Sequence, residues 1–434
     1  MKKLNWLSSR TVEQTKEITQ RFWEKLSNAA YPVSKGAVRI PISLEPFSLT
    51  EQEYGALQKQ LLLVISAARS LVEKYFVDTE LRAVFSLDEA ERELVEASKD
   101  EPLVGVVRAD LFYGERTQLV ELNTDFPDGF FMHDVTARAI LDLVGPGLEI
   151  NSNAALFKKL LEEEGVASDQ HIFIGHDKGR SFVDEFALSR DVLQKEGWSA
   201  VSVGPVEDLV QVEGALTFNG KPVHVMRRGA EMSKLRENKA LMARLIQQQK
   251  EGTLKIFNNF KMRLLGHKAL LAVLWDERFE KYLSKEEIAA AHALVPETRK
   301  LSEIGVAGTI HEKNDWVLKP SDLAEGEGVL IGSSCSEEVW AAALQSASEM
   351  SERWLLQRKV QIPKETFNIF DTGTKALHTS TMHYDLDPHI MLFRDRAEMG
   401  NILVRFSPDE VLNVMCGGGI TYAFVDEKLS QPQV

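Results

Sequence analysis

The stretch that decides the fold is Trp316-Val317-Leu318-Lys319-Pro320-Ser321-Asp322-Leu323-Ala324-Glu325-Gly326-Glu327-Gly328-Val329-Leu330-Ile331-Gly332. An apolar run ends at a lysine, a polar turn with two glycines follows, and a second apolar run begins at once, which predicts strand, glycine-rich loop, strand. Glycines let a backbone expose successive N–H groups to an anion, and Lys319 adds a positive charge there. We therefore expect Gly326 and Gly328 to cover the phosphates of a nucleotide, with an ordinary β-hairpin as the alternative.

The composition is that of a globular enzyme. The 434 residues allow two or three domains, and with 44% hydrophobic and 27% charged residues no apolar run reaches the length of a membrane span. Two cysteines cannot form a disulfide framework or a thiolate metal site, and the first residues lack a signal-peptide core, so we expect a cytoplasmic location and no membrane partner. A net charge of −14 disfavours nucleic acid as a partner.

A hairpin predicted over residues 103–123 carries four polar side chains. Arg108 and Asp110 share one face of its first strand, and Glu121 and Asn123 share one face of the second, because residues two apart point the same way. Two carboxylates and an amide oxygen are ligands that Mg²⁺ prefers, so Asp110, Glu121 and Asn123 are candidate metal ligands. The alternative is a surface ion pair of Arg108 with Asp110, and an edge charge at Glu121.

Basic residues at the ends of two elements are further candidates for anion binding. Arg227 and Arg228 end a predicted strand and could clamp a carboxylate or phosphate, although a solvated charge pair explains them equally well. Lys268 stands in the first turn of a predicted helix over 266–275, where the helix dipole disfavours a cation. An anionic ligand would explain this lysine, and a solvent-facing side chain is the alternative.

Two other patterns resemble sites without supporting one. His383, Asp385 and Asp387 alternate along a predicted strand, but a spacing of two spreads them too far apart to hold one metal ion without other partners. Cys416 lies beside a glycine run, and the sequence places no catalytic base near it. We expect a buried, inert thiol at that position.

Taken in order, these motifs resemble the ATP-grasp superfamily. The segment Lys319 to Gly332 looks like its phosphate-covering loop, the strand and hinge over 355–360 look like its adenine-holding segment, and the acids of the hairpin look like its magnesium ligands. The acids precede the loop, which is the order of the circularly permuted branch that includes glutathionylspermidine synthase. Arg108-x-Asp110 and Glu121-x-Asn123-x-Asp125 match the motifs of that branch. The amidase domain that accompanies glutathionylspermidine synthases is absent.

The resemblance implies an α+β fold, namely a circularly permuted ATP-grasp core with a Rossmann-like βα layer and a helical N-terminal region. Helical periodicity over 11–28, 50–76 and 87–98 agrees with that region, and the strand, helix and strand pattern from 171 to 204 agrees with the layer. The expected regions are a helical one over 1–100, a metal-binding part over 101–150, the Rossmann-like domain over 151–235, a helical connector over 236–298 and an ATP-binding lobe over 299–434.

The resemblance also implies an ATP-dependent ligase that activates a carboxylate as an acylphosphate for attack by an amine or thiol. Arg108, Lys319 and Arg405 are then expected to be catalytic, with Asp110, Glu121 and Asn123 holding Mg²⁺. The residues expected to bind ATP are Lys268, Lys319, Gly326, Gly328, Gln357, Lys359 and Val360. The partners would be small-molecule carboxylates and amines, with a homodimer allowed for. A nucleotide-binding regulatory subunit and a small-molecule kinase are the alternatives.

Overall fold

The computed structural model describes residues 1–28, 40–125, 127, 129–179, 183–323, 326–371, 376–412 and 418–426. The strands are β1 Lys2–Lys3, β2 Ile42–Ser43, β3 Phe47–Leu49, β4 Gly105–Phe112, β5 Gln118–Asn123, β6 Leu148–Glu149, β7 Ile172–His176, β8 Val201–Pro205, β9 Val210–Val212, β10 Ala215–Phe218, β11 Lys221–Pro222, β12 Val225–Arg228, β13 Lys255–Phe257, β14 Thr298–Lys300, β15 Trp316–Pro320, β16 Leu330–Ile331, β17 Trp354–Arg358, β18 Lys364–Asp371, β19 Ala376–Leu392, β20 Ala397–Ser407 and β21 Gly419–Asp426.

The helices are α1 Val12–Asn28, α2 Glu51–Lys74, α3 Thr79–Val84, α4 Glu89–Ala97, α5 Phe130–Val144, α6 Asn153–Glu163, α7 Val183–Lys195, α8 Met232–Leu235, α9 Lys239–Lys250, α10 Met262–Gly266, α11 Ala269–Val273, α12 Lys285–Leu294, α13 Leu301–Ile304, α14 Val306–Thr309 and α15 Glu337–Ser348. The longest, α2, begins after a capping box in which Thr50 and Glu53 each bond the other's backbone N–H. Across the described residues, no helix is long and apolar enough to cross a membrane.

A large mixed sheet contains β1 to β6 and β18 to β21. Its centre runs antiparallel in the order β5, β4, β19, β20 and β21, so the hairpin predicted over 103–123 becomes the edge of this sheet. Asp110 pairs with Glu121, and Arg108 pairs with both Asn123 and His389. Directly opposed residues share a face, so the polar groups of the hairpin and of β19 lie on the same side of the sheet.

The opposite face of this sheet is apolar and packs against α2. Residues that alternate with the polar ones belong to one core cluster with the buried face of the helix, including Val107, Ala109, Leu111, Leu386, Ile390, Leu61, Val64 and Ile65. Each buried Val, Leu or Ile side chain in this cluster stabilises the fold by about 1.5–3 kcal/mol. This apolar packing fixes the register of the sheet, because a slip of one residue would turn the charged side chains into the core.

A second, wholly parallel sheet has the order β13, β12, β7 and β8. Its β7, α7 and β8 form the strand, helix and strand unit that the sequence predicts from 171 to 204. The carboxyl end of β12 bears Arg227 and Arg228 and lies beside the loop that follows β5, because Arg228 contacts Asp125 there. This sheet therefore borders the polar face of the large sheet.

A third sheet, in the order β14, β17, β15 and β16, carries the stretch quoted at the outset. One of its faces packs on α15 through Trp316, Leu318 and Leu356, which form a core cluster with Trp340 and Leu344. Lys319 and Gln357 alternate with these residues and therefore point to the other face.

Two predicted elements differ from the structure or fall outside it. The helix predicted over 266–275 is only the short α11, which begins after Lys268, because the backbone N–H of Lys268 donates to Ser321 O at 3.2 Å instead of continuing α10. A strand predicted over 411–415 and the thiol at Cys416 lie mostly or wholly outside the described residues.

Candidate active site

Asp110 lies at the centre of the polar face and accepts four hydrogen bonds. Oδ1 accepts from Arg108 Nε at 3.0 Å and from Asn123 Nδ2 at 2.9 Å. Oδ2 accepts from Arg108 Nη2 at 3.3 Å and from Arg405 Nη2 at 2.7 Å. Burial alone would raise the pKa of Asp110, but the charges of the two arginines outweigh it and lower the pKa to about 2. Asp110 is therefore a permanent carboxylate whose four lone-pair positions are all in use.

Arg405 reaches Asp110 from β20, two strands away, and contacts two further aspartates on the way. Its Nε and Nη2 donate to Asp385 at 3.3 and 2.6 Å, and Nη2 also lies 3.3 Å from Asp387 Oδ1. Burial and neighbouring carboxylates raise the pKa of Asp385 and raise that of Asp387 well above its ordinary value. The sequence shows the alternation of Asp385 and Asp387 but does not reveal that both contact Arg405.

Lys268 contacts Glu121, the second acid of the hairpin. Its Nζ lies 2.7 Å from Glu121 Oε1 and donates to Leu323 O at 2.6 Å. The break between α10 and α11 directs this lysine into the site, and the side chain is only 9% exposed. The solvent-facing alternative for Lys268 is wrong.

Lys319 is buried against the same hairpin. Its Nζ donates to Val120 O at 3.0 Å and to Gln357 Oε1 at 2.8 Å, and Gln357 in turn donates to Thr298 Oγ1 at 2.9 Å. Burial lowers the pKa of Lys319 to about 8, while the carboxylate of Glu121 acts in the opposite direction. The lysine from the glycine-rich segment therefore contacts the hairpin that carries the candidate acids, at the residue before Glu121, although about two hundred residues separate them.

The glycine-rich segment turns between β15 and β16 with left-handed glycines. Gly326 and Gly328 have φ of +77° and +73°, conformations that other residues rarely adopt, and Val317 pairs with Ile331 across the turn. The segment is thus a hairpin whose turn requires glycine. Residues 324 and 325 lie outside the described part of the chain.

The predicted adenine segment is only partly close to the other candidates. Gln357 lies on β17 beside Lys319, whereas Lys359 and Val360 follow the end of that strand. The Lys359 amine donates to Ser333 Oγ at 2.6 Å and lies 3.9 Å from Glu410. The structure therefore does not bring the Lys359 side chain to Lys319 and the hairpin acids.

The arginine pair at the end of β12 is buried, so the solvated alternative is wrong. Arg228 is 0% exposed; it forms an ion pair with Asp125 and donates to Asn258 O and Ala230 O at 2.8 Å. The Arg228 guanidinium is thus bonded within the fold, to one carboxylate and two backbone carbonyls. Arg227 is also buried, with its guanidinium 5.4–5.8 Å from three phenylalanine rings, those of Phe130, Phe131 and Phe157.

Two buried histidines, which the sequence does not reveal as a pair, lie near Arg108. The rings of His133, on α5, and His389, opposite Arg108 on β19, have centroids 5.2 Å apart. Burial and the nearby arginine charges lower the pKa of His389 to about 3 and that of His133 well below its ordinary value, so both are neutral. No sequence pattern links two residues so distant in the chain.

The donor set suits a magnesium ion, with one condition. Asn123 uses its amide nitrogen on Asp110, which leaves its oxygen for a cation, and Glu121 Oε1 is shared with Lys268. Asp110 can ligate a cation only if Arg108 or Arg405 breaks its hydrogen bond to one of the Asp110 carboxylate oxygens. Among the described residues, no group of three or more His, Cys, Asp or Glu is arranged to hold a metal ion on its own. Phosphate and water oxygens would have to complete the coordination.

Comparisons with known proteins concern the fold. No protein family model matches the chain, and no curated protein matches its sequence. A putative gamma-glutamylcysteine synthetase from Methylobacillus flagellatus is 11% identical, covers 87% of this chain and 88% of its own, and has a TM-score of 0.41. D-alanyl-alanine synthetase A from Vibrio cholerae is 9% identical, with 54% and 88% covered and a TM-score of 0.28. A glutathione synthetase-like effector from Globodera pallida is 11% identical, covers 97% of this chain and 99% of its own, and has a TM-score of 0.65. Over nearly its whole length, this chain therefore has the fold of that glutathione synthetase-like effector.

Proposed function

We propose that the chain is an ATP-dependent ligase that joins a carboxylate to an amine or thiol through an acylphosphate, releasing ADP and phosphate. The observation that carries this proposal is the contact of Lys319 with the hairpin. Arg108 and Arg405 contact Asp110, and Lys268 contacts Glu121, so the contact of Lys319 brings a fourth cationic side chain to the same hairpin. A fold shared with a glutathione synthetase-like effector supports the proposal. The order of the motifs in the sequence, which resembles that of a circularly permuted ATP-grasp core with a Rossmann-like layer, supports it as well.

The cations have separate tasks in this scheme. Lys319 and Lys268 bind the phosphate chain of ATP, and the left-handed turn at Gly326 and Gly328 offers backbone N–H groups to the same phosphates. Arg108 and Arg405 stabilise the negative charge on the phosphoryl group as it moves to the carboxylate. Such fixed charges in a buried site lower the barrier without reorganisation, so no protein nucleophile is needed.

Glu121 and Asn123, joined by Asp110 when Arg405 releases it, would hold Mg²⁺. When bound, the ion would neutralise charge on the phosphate oxygens. The chain's own residues position the reactants, and the turn at Gly326 and Gly328 keeps water from the acylphosphate. Gln357 orients the Lys319 amine through its carbonyl oxygen, and Thr298 fixes the rotamer of Gln357 by accepting from its amide.

A panel assay tests the ligase proposal. The purified protein is incubated with ATP, Mg²⁺ and pools of amino acids, amines and thiols, and phosphate release is measured. Hydroxylamine replaces the acceptor in a parallel set, since it converts an acylphosphate to a stable hydroxamate. We expect phosphate and hydroxamate with at least one carboxylate, and neither with Lys319→Met. A product that retains the phosphate, with no phosphate released, would identify a kinase instead.

A further inference from the structure

Arg405 and Asp385 form a two-point ion pair across neighbouring strands. Asp385 lies directly opposite Arg405 in the register of β19 and β20. Nε donates to one carboxylate oxygen at 3.3 Å and Nη2 donates to the other at 2.6 Å. Two parallel bonds fix the plane of a guanidinium as well as its position, which a single bond does not.

Asp387 supports the same guanidinium from the next position along the face. It is 0% exposed, Asp385 is 2% exposed, and both contact Arg405. The Arg405 side chain therefore extends across β19 towards β4, where Nη2 meets Asp110. Its Nη1 makes no hydrogen bond within the described part of the chain. The Nε and Nη2 edge of the guanidinium is therefore bonded to carboxylates, and Nη1 can donate to a ligand.

A purely structural ion pair would not need this arrangement. One carboxylate neutralises one arginine, and buried pairs contribute little net stability compared with apolar residues of the same size. Here two carboxylates, those of Asp385 and Asp387, hold one arginine against a third, Asp110, which is a candidate metal ligand. The arrangement fits an arginine whose position matters more than its contribution to stability.

We propose that Asp385 is a positioning residue for Arg405, with Asp387 as its second support, and that the held guanidinium recognises the terminal phosphate of ATP. This role depends on the proposed ATP-dependent activity. It concerns recognition of the third phosphate of ATP and not of the nucleoside. A nucleoside diphosphate lacks the group that Arg405 contacts, so its affinity is independent of Asp385.

Paired titrations test the role of Asp385. Calorimetry measures the affinity of the full-length protein for a non-hydrolysable ATP analogue and for ADP, each with Mg²⁺. In Asp385→Asn we expect the affinity for the ATP analogue to fall about tenfold or more, as one charge-assisted pair is lost, with ADP affinity unchanged within about twofold. In Asp385→Glu, which keeps the charge but moves the carboxylate, the same selective loss is expected. The double variant Asp385→Asn with Arg405→Lys should bind the analogue no more weakly than Arg405→Lys alone.

A matched control lies on the same strand as Arg405. Glu398 on β20 also pairs with basic side chains, Arg396 and Lys159, away from the site. Glu398→Gln should leave both affinities unchanged. Equal losses for the analogue and ADP, no loss in either Asp385 variant, or the same loss in Glu398→Gln would overturn the role of Asp385. A wild-type protein that binds neither nucleotide would overturn the proposed function itself.

Discussion

The buried amine of Lys319 makes ATP binding depend on pH. Its pKa of about 8 means that the amine is mostly charged at pH 7 and about one tenth charged at pH 9. If the charged form binds the phosphates, ATP affinity should fall about tenfold from pH 7 to pH 9 and continue to fall by about a decade per pH unit. Calorimetric titration with a non-hydrolysable ATP analogue from pH 6.5 to 9.5 measures the decline.

Two controls assign the decline to this amine. Lys319→Arg keeps its charge throughout the range, so its affinity should be flat with pH, and Lys319→Met should be weak and flat. ATP affinity of the wild type that stays constant to pH 9.5, or a decline that persists in Lys319→Arg, would refute the reasoning.

The same amine should also affect stability. Its pKa is lower in the folded chain than in the unfolded chain, so the unfolded chain binds more protons between pH 8 and 10.5. The contribution of Lys319 to the free energy of unfolding therefore rises with pH in that window. The shift of about 2.5 units is worth on the order of 3 kcal/mol, so wild type and Lys319→Met should differ in the pH dependence of their urea midpoints.

Four other substitutions have defined outcomes. Glu121→Gln and Asn123→Ala should keep the fold but each lower turnover by two or more orders of magnitude, which corresponds to about 3 kcal/mol. Near-normal turnover in a steady-state assay would show that these residues do not bind the metal. Arg405→Ala should raise the affinity of the nucleotide-free protein for Mn²⁺, because it frees a lone pair on Asp110 Oδ2. Electron paramagnetic resonance measures this affinity, and an unchanged value would contradict competition between Arg405 and the metal for that oxygen. Arg228→Met should lower the free energy of unfolding in urea by about 3–5 kcal/mol, since it removes the cation paired with Asp125. A loss below about 1 kcal/mol would show that the pair contributes little to stability.

Local pattern was sufficient for the hairpin and for the glycine turn. Alternation with a period of two places Arg108 and Asp110 on one face and Glu121 and Asn123 on another, and the register of β4 and β5 joins the two faces. The left-handed φ of Gly326 and Gly328 likewise follows from residue type. These are contacts and conformations that neighbouring residues determine.

Contacts set by long-range register were beyond the sequence. In the sequence, Asp385 belongs only to a weak metal-like pattern. Its contact with Arg405 appears only in the structure, where β19 lies between β4 and β20. From the sequence, Arg228 is either a ligand-binding residue or a surface charge, because no local pattern predicts its ion pair with Asp125. His133 and His389 meet only because α5 covers the polar face of the large sheet.

The most direct test of the central claim is calorimetry of the purified chain with a non-hydrolysable ATP analogue and Mg²⁺, at protein concentrations well above micromolar. The site formed by Lys319, Lys268, Arg405 and the hairpin acids predicts saturable binding of about one nucleotide per chain, and loss of that binding in Lys319→Met. No heat of binding in the wild type, or equal binding in Lys319→Met, would contradict the assignment of a nucleotide site to these residues.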